Sequence, residues 1–433
     1  MTVCKFGGSS VADANQIRKV KGILDSDPNR RIIIVSAPGK RSPEDEKITD
    51  LLYECNQMVR NGESCKPVYE KIEARFMGIA NDLKLEPRPI QVMLDDVRCK
   101  IDAGRGADYA ASRGEYLSAF VISQFLGWEF VDVDGFLFIN SDGTVNPLSY
   151  DQLKMRLDDE SLCYVLPGFY GSTDEGLIKT FTRGGSDITG SVVARSVGAD
   201  MYENWTDVSG IFAANPMKIH DAKVIDIMNY REVRELSDFG ASVFHEEAIA
   251  PIVDTGIPIN IKNTNKPEDK GTLIVPHSGS NHLSGVSVRG GLSRIQLRRL
   301  MLFKKHGTKH ALLTMLHIFG VKPIYTLTAV DSVVWYFDSK NAGDNILEAM
   351  CERLKSEFDL DYVEVEKGLA VLGLVGTEIP DGDAYFNALT ALRENGIKPD
   401  FINFGSSEVS VMYGIKDSEK DKALNVVYDK LFR

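Results

Sequence analysis

Up to about residue 275 the chain alternates short apolar runs with longer stretches of three-to-four-residue apolar period, as in helices packed on a sheet. Val3 to Phe6 reads as a strand stopped by Gly7-Gly8, with Ser10 or Asp13 placed to cap the following helix. Arg31 to Ala37 is a β-branched run, suited to a strand buried on both faces. Pro38 to Lys47 is a polar loop, and mostly helical segments follow through Leu126. Phe130–Val133, Cys163–Leu166, Thr180–Arg183, Met201–Trp205 and Ile257–Ile261 are further predicted strands, with a helix over Asp187–Val197. The pattern predicts an α/β fold with a mainly parallel sheet flanked by helices.

Pro276 to Asn281 is a polar linker, and the pattern changes beyond it. The first unit there reads strand Arg294–Leu300, helix Thr308–Phe319, strands Pro323–Ala329 and Ser332–Phe337, and a helix near Ile346–Phe358. The second reads strand Leu369–Val375, helix Ala384–Asn395, strands Lys398–Phe404 and Glu408–Tyr413, and helix Lys420–Leu431. Gly320-Val321-Lys322-Pro323 and Gly396-Ile397-Lys398-Pro399 occupy equivalent places, so the two β-α-β-β-α units form an internal repeat. The expected domains are 1–275, 284–360 and 361–433.

The 433 residues exceed one ordinary hydrophobic core. A net charge of -12, from 62 acidic and 50 basic residues, argues against nucleic acid as a partner. The six cysteines form no CxxC pair, so neither a zinc site nor a disulfide framework is expected, and a cytoplasmic setting fits. A strand beginning at Val3 leaves no room for a targeting peptide. No apolar stretch approaches the ~20 residues that span a bilayer, so no membrane partner is expected.

Two motifs carry candidate chemistry. Lys5-Phe6-Gly7-Gly8-Ser9-Ser10 ends a strand with a cation and two glycines, which let backbone N–H groups approach phosphate oxygens. The alternative is a Gly-Gly turn beside a solvated lysine. Phe181-Thr182-Arg183-Gly184-Gly185-Ser186-Asp187 repeats strand, glycines and helix start. There Arg183 can grip a carboxylate through two parallel hydrogen bonds. Asp187 is either functional or an ordinary helix-capping carboxylate.

Together these motifs resemble the amino acid kinase superfamily, and KFGGSS with TRGGSD is similar to its aspartate kinase branch. The likeness extends through Ile33-Val35-Ser36-Ala37, Arg113-Gly114-Glu115, Pro167-Gly168-Phe169, Trp205 to Ile211 and Phe239-Gly240-Ala241. The tail resembles tandem ferredoxin-like ACT modules, most closely in Ile402 to Ser410. The resemblance implies transfer of the ATP γ-phosphoryl group to the side-chain carboxylate of aspartate, opening lysine, threonine, methionine and isoleucine synthesis. It makes Lys5 the cation on the transferred group and Asp187 the residue orienting the catalytic cations. It implies that Ser36, Thr49, Glu115 and Arg183 hold aspartate, Glu115 on the α-ammonium and Arg183 on a carboxylate. Gly7, Gly8 and Ser9 would contact nucleotide phosphates, with Thr206, Asp207 and Phe212 at the adenosine. Mg2+ would be carried by ATP oxygens, with no dedicated metal site. In the family, the second ACT module completes its sheet with a strand from before the first, here Leu283–Val288. The resemblance also implies a feedback amino acid, lysine before threonine, with the loops Phe303–Thr308 and Phe404–Ser407 as candidate sites. A homodimer or larger homo-oligomer through the ACT modules is expected, with no fused homoserine dehydrogenase.

Two family cations are missing: Met217 stands where many members have arginine, and Ser242 where many have lysine. Lys218 is the nearest replacement, read either as an ATP contact or as a surface lysine. Asp238-Phe239-Gly240 lacks the other protein-kinase motifs, and no P-loop sequence occurs. His306 and His310 lack the HExxH glutamate. Three rival functions stay open: acetylglutamate kinase, glutamate 5-kinase or uridylate kinase; a further rival is a catalytically inactive amino-acid sensor.

Overall fold

The computed structural model describes all residues except Ser242, Val243, His245, Ser280, Asn281 and Asp381. The Ser242 substitution therefore lies outside the described residues. The chain divides into two compact units. The first comprises Met1–Phe212, Val224–Ser237 and Ser242–Gly279; the second comprises Ala213–Lys223, Asp238–Ala241 and Ser280–Arg433.

The first unit holds strands β1 (Thr2–Phe6), β2 (Arg30–Val35), β3 (Glu129–Phe130), β4 (Tyr164–Pro167), β5 (Tyr170–Ser172), β6 (Ile178–Thr180), β7 (Met201–Thr206), β8 (Ile227–Asn229), β9 (Ile259–Asn263) and β10 (Thr272–Val275). Its helices are α1 (Ala14–Asp25), α2 (Ile48–Arg60), α3 (Lys66–Asp82), α4 (Pro87–Asp102), α5 (Ala107–Leu126), α6 (Leu148–Arg156), α7 (Gly185–Ser196) and α8 (Tyr230–Asp238), whose last residue sorts with the second unit. Eight strands form one sheet in the order β3-β4-β2-β1-β7-β9-β10-β8. Pairing is parallel except between β9 and β10. Ile32 to Val35 on β2 are at most 1% exposed, as the β-branched run predicts. On α1, Asp13 rather than Ser10 caps the helix, accepting from the Gln16 N–H at 2.9 Å. One core, including Phe6, Leu52, Phe76, Leu94 and Leu117, joins α2 to α5 to one sheet face.

Two predicted strands of the first unit end early, and in the second unit the strands expected over Pro323–Ala329 and Lys398–Phe404 form only over Tyr325–Thr328 and Phe401–Asn403. The run over Phe130–Val133 pairs only as far as Phe130, because Asp132 turns the chain by accepting from the Asp134 N–H at 3.1 Å. The strand predicted over Thr180–Arg183 ends at Thr180, and β6 pairs with β5 in a separate two-stranded ribbon. Gly184, at φ 57°, then turns the chain into α7.

The second unit carries β11 (Leu283–Arg298), α9 (Thr308–Ile318), β12 (Tyr325–Thr328), β13 (Ser332–Asp338), α10 (Asp344–Phe358), β14 (Tyr362–Gly376), α11 (Ala384–Glu394), β15 (Phe401–Asn403), β16 (Ser410–Lys416) and α12 (Lys420–Phe432). Its single six-stranded sheet runs β12-β13-β11-β14-β16-β15. The strands predicted over Leu283–Val288 and Arg294–Leu300 are one 16-residue strand, bent where the register shifts between Arg289 and Leu292. Its later half pairs with β13 and the start of β14, while Leu283–Arg289 pairs with Val371–Gly376 on β14. Each β-α-β-β-α repeat thus closes its open edge with a strand from the other, giving two ferredoxin-like halves.

Two short segments from the stretch expected as residues 1–275 sort with this second unit. Ala213 accepts from the Val286 N–H at 2.7 Å, and Phe239 is fully buried, its carbonyl taking the Ser287 hydroxyl at 2.9 Å.

Candidate active site

Parallel strands end with their carboxyl ends on one side of a sheet, and a pocket opens where the connections diverge. The strand following β1 in sequence, β2, lies on one side of it, and β7 lies on the other. Lys5, near the end of β1, stands opposite Ile34 on β2 and Asn204 on β7. Its Nζ meets Asp187 Oδ1 at 2.7 Å, both side chains being under 15% exposed. Asn204 Nδ2 donates to the same oxygen at 2.7 Å, leaving Asp187 Oδ2 without a protein partner among the described residues. The first motif's lysine and the second motif's aspartate, 182 positions apart, thus form one centre.

The glycines explain how the centre is held. Gly7 donates its N–H to the Trp205 carbonyl at 2.9 Å, so the chain leaves β1 flush against β7. A Cβ on Gly185 would stand 2.8 Å from Phe169 Cα, and one on Gly168 would stand 2.7 Å from Ser186 Cβ. The two turns therefore touch backbone to backbone, setting the first turn of α7 and with it Asp187. Phe169 itself takes φ 79°, a strained value for a bulky side chain.

Ser36 follows β2 directly, its N–H bonded to the Phe6 carbonyl at 3.1 Å. Glu115 lies buried inside α5, where its carboxylate accepts from the Ala37 N–H. Burial pushes this carboxyl up to about 8, against the opposing pull of that N–H. Its Oε2 has no hydrogen-bond partner among the described residues. A buried carboxylate with one unsatisfied oxygen is suited to receiving a cation. Thr49 is half-buried in the first turn of α2. Arg183 is exposed and has no carboxylate partner among the described residues.

Thr206 ends β7, its carbonyl accepting from the Thr264 N–H at 2.8 Å and its hydroxyl reaching Asp207 at 3.2 Å. Asp207 is exposed, and half-buried Phe212 bridges to Val224. Gly8 and Ser9 lie in the short 3-10 turn after Gly7. Lys218 belongs to the second unit, where its ammonium pairs with Asp421 at 3.0 Å. Met217 beside it is 82% exposed. Asn204 was not singled out from the sequence. Glu203-Asn204, two adjacent buried polar residues in a central strand, is the signal that marks it.

A lysine-carboxylate pair between two glycine turns at the carboxyl ends of parallel strands is suited to meeting phosphate charge. The amino acid kinase family model matches residues 1–263, and an ACT domain model matches residues 386–431. Aspartokinase 3 of Bacillus subtilis is 33% identical over 449 residues, spanning 100% of this chain and 99% of its own length. The lysine-sensitive aspartokinase 3 of Escherichia coli is 26% identical, spanning 100% and 99%. The crystal structure of Clostridium acetobutylicum aspartate kinase superposes with a TM-score of 0.91 at 39% identity, both chains covered fully. Escherichia coli aspartokinase III in complex with aspartate and ADP, at 24% identity and a TM-score of 0.81 over both full chains, shares the fold. The chain belongs to the amino acid kinase family, and within it to the aspartokinases.

Proposed function

We propose that this protein is an aspartate kinase that transfers the γ-phosphoryl group of ATP to the β-carboxylate of L-aspartate, giving 4-phospho-L-aspartate and ADP. The observation that carries this reading is the Lys5–Asp187–Asn204 centre, in a chain related along its whole length to aspartokinases. An aspartate carboxylate is already ionised at neutral pH, so its oxygen attacks the γ-phosphorus without a general base. The bond to the β-phosphate oxygen breaks as the new one forms, and catalysis is positioning plus charge stabilisation. Lys5 meets the negative charge of the transferred group, while Asp187 and Asn204 hold its ammonium in place. The backbone of Gly7, Gly8 and Ser9 serves the phosphates. Thr206, Asp207 and Phe212 serve the adenosine, and Lys218 adds nucleotide charge when it leaves Asp421. Glu115 takes the α-ammonium, Arg183 a carboxylate, and Ser36 and Thr49 complete the acceptor pocket. Asp187 Oδ2 fits as a contact to Mg2+ carried by ATP oxygens, and that ion would neutralise phosphate charge.

The second unit is read as two ACT-like modules, 284–360 and 361–433, which exchange strands. Its likeness to an ACT domain supports a feedback amino acid, lysine or threonine. A cavity of about 910 Å³ opens around the loop before α9, beside Arg299, Lys304, Lys305, His306 and Glu357. Cations outnumber carboxylates there, which weighs against lysine's second ammonium in this loop and leaves Phe404–Ser407 as its alternative site. Exposed Leu300, Met301, Leu313 and Ile318 support a homo-oligomer through this unit. No helix among the described residues is long and apolar enough to cross a membrane. The six free cysteines support a cytoplasmic enzyme.

Turnover of ATP with aspartate, glutamate and acetylglutamate tests the reaction. Activity with aspartate alone is expected. Activity confined to another acceptor would make this another amino acid kinase, and none with any acceptor would make it a sensor. Initial rates against millimolar lysine and threonine, singly and together, test the regulation. If neither changes the rate or the melting temperature, the tail serves assembly.

A further inference from the structure

Arg75 lies on α3, and nothing in the two glycine motifs points to it. Its side chain is only 5% exposed, and it spends its fork on one loop. Nη1 meets Asp45 Oδ2 at 2.6 Å, and Nη2 donates to the Gly39 carbonyl at 2.6 Å. Asp45 is also tied to Arg41, through its side chain at 3.0 Å and its backbone N–H at 2.9 Å. The Arg41 hydrogen bond holds the Asp45 carboxyl well below the usual carboxylate range, so the pair stays charged.

Gly39 is the link to the phosphate loop. Its N–H donates to the Gly8 carbonyl at 2.8 Å, and a Cβ built on it would stand 2.7 Å from the Gly8 carbonyl carbon. A Cβ on Gly8 would in turn stand 3.0 Å from the Ala37 carbonyl oxygen. Gly8 therefore has backbone against it on the side facing residues 37–39, and Arg75 holds the Gly39 end of that support. The same segment carries Ser36, and its Ala37 N–H serves Glu115. One buried guanidinium thus reaches the acceptor side and the phosphate side of the centre through one short segment, residues 36–39.

We infer that Arg75 is a positioning residue for phosphoryl transfer: its bond to the Gly39 carbonyl holds residues 36–39 against Gly8. The inference rests on the aspartate kinase reading, so wild-type turnover with aspartate is measured first. An inactive wild type would refute that reading, not this one. Lysine at this position keeps a charge for Asp45 but presents no fork, so it cannot serve both partners as the guanidinium does. Arg75→Lys is expected to melt close to wild type yet lose ~10²-fold in kcat, the scale of a misplacement of about 1 Å. Its KM values for ATP and aspartate should move by less than kcat does. Asp45→Asn removes the ion pair but leaves the Gly39 bond, so it should lower the melting temperature more than the rate. Arg75→Ala should regain part of its kcat when guanidinium ion is added, and Arg75→Lys should not. A folded Arg75→Lys with wild-type kcat would overturn the inference. So would an Asp45→Asn as slow as Arg75→Lys, because the ion pair alone would then explain the effect.

Discussion

Glu115 offers the sharpest test, because burial and function pull its proton in opposite directions. In the ligand-free site its carboxyl is raised from 4.5 to about 8, chiefly by desolvation. At about 1.4 kcal/mol per pKa unit, the ionised form is disfavoured by roughly 5 kcal/mol at most, and partial relaxation makes this an upper bound. At pH 7 only about a tenth of molecules would carry the anion that an α-ammonium needs. Aspartate binding would then expel about 0.9 proton at pH 7. The KM for aspartate should fall roughly 20–30-fold between pH 6.5 and 8.5, while the KM for ATP should change little. Glu115→Gln should bind aspartate weakly and without this pH dependence.

Stability follows with a defined sign. The unfolded carboxyl ionises near 4.5 and the folded one near 8, so between them the unfolded chain holds fewer protons. The ligand-free protein should therefore lose stability as pH rises through that window, and Glu115→Gln should lose less. Initial rates across pH and calorimetry in buffers of different ionisation enthalpy measure the binding effect, and the melting temperature against pH measures the stability effect. An aspartate KM flat over this range, or an identical profile for Glu115→Gln, would refute the reasoning.

Lys5→Ala should cut kcat by ~10²–10³-fold, about 3–4 kcal/mol, with the fold kept because Asn204 still holds Asp187; half the wild-type rate would sink the assignment. Arg183→Ala should raise the KM for aspartate well above any change for ATP, since no protein carboxylate competes for this guanidinium among the described residues; equal shifts in steady-state kinetics would remove it from the acceptor pocket. Lys218 is half-exposed, so its pair with Asp421 is worth only about 0–1 kcal/mol. Lys218→Met should weaken ATP binding and Asp421→Asn should tighten it; unchanged affinities in calorimetry would make Lys218 a surface ion pair.

The sequence by itself determined the α/β pattern, the internal repeat and the two glycine motifs, because each is local. A buried strand needs β-branched residues, a helix needs its period, and a backbone that must approach another closely needs glycine. Its errors were local too: Thr180–Arg183 has strand composition, but Gly184 and the Phe169 turn end the strand at Thr180. Only the tertiary structure decided which distant residues meet. Pairing of β1 with β7 set Lys5 opposite Asn204, and contact between the Gly168 and Gly185 turns brought Asp187 to the same ammonium. Arg75 and Asn204 carry no motif, since their roles arise from packing against a loop and a strand far along the chain. That Leu283–Val288 completes the second repeat's sheet was implied by the resemblance; that it does so as one bent strand continuous with the first repeat's was a tertiary outcome, for an open sheet edge accepts whichever strand the rest of the chain brings beside it.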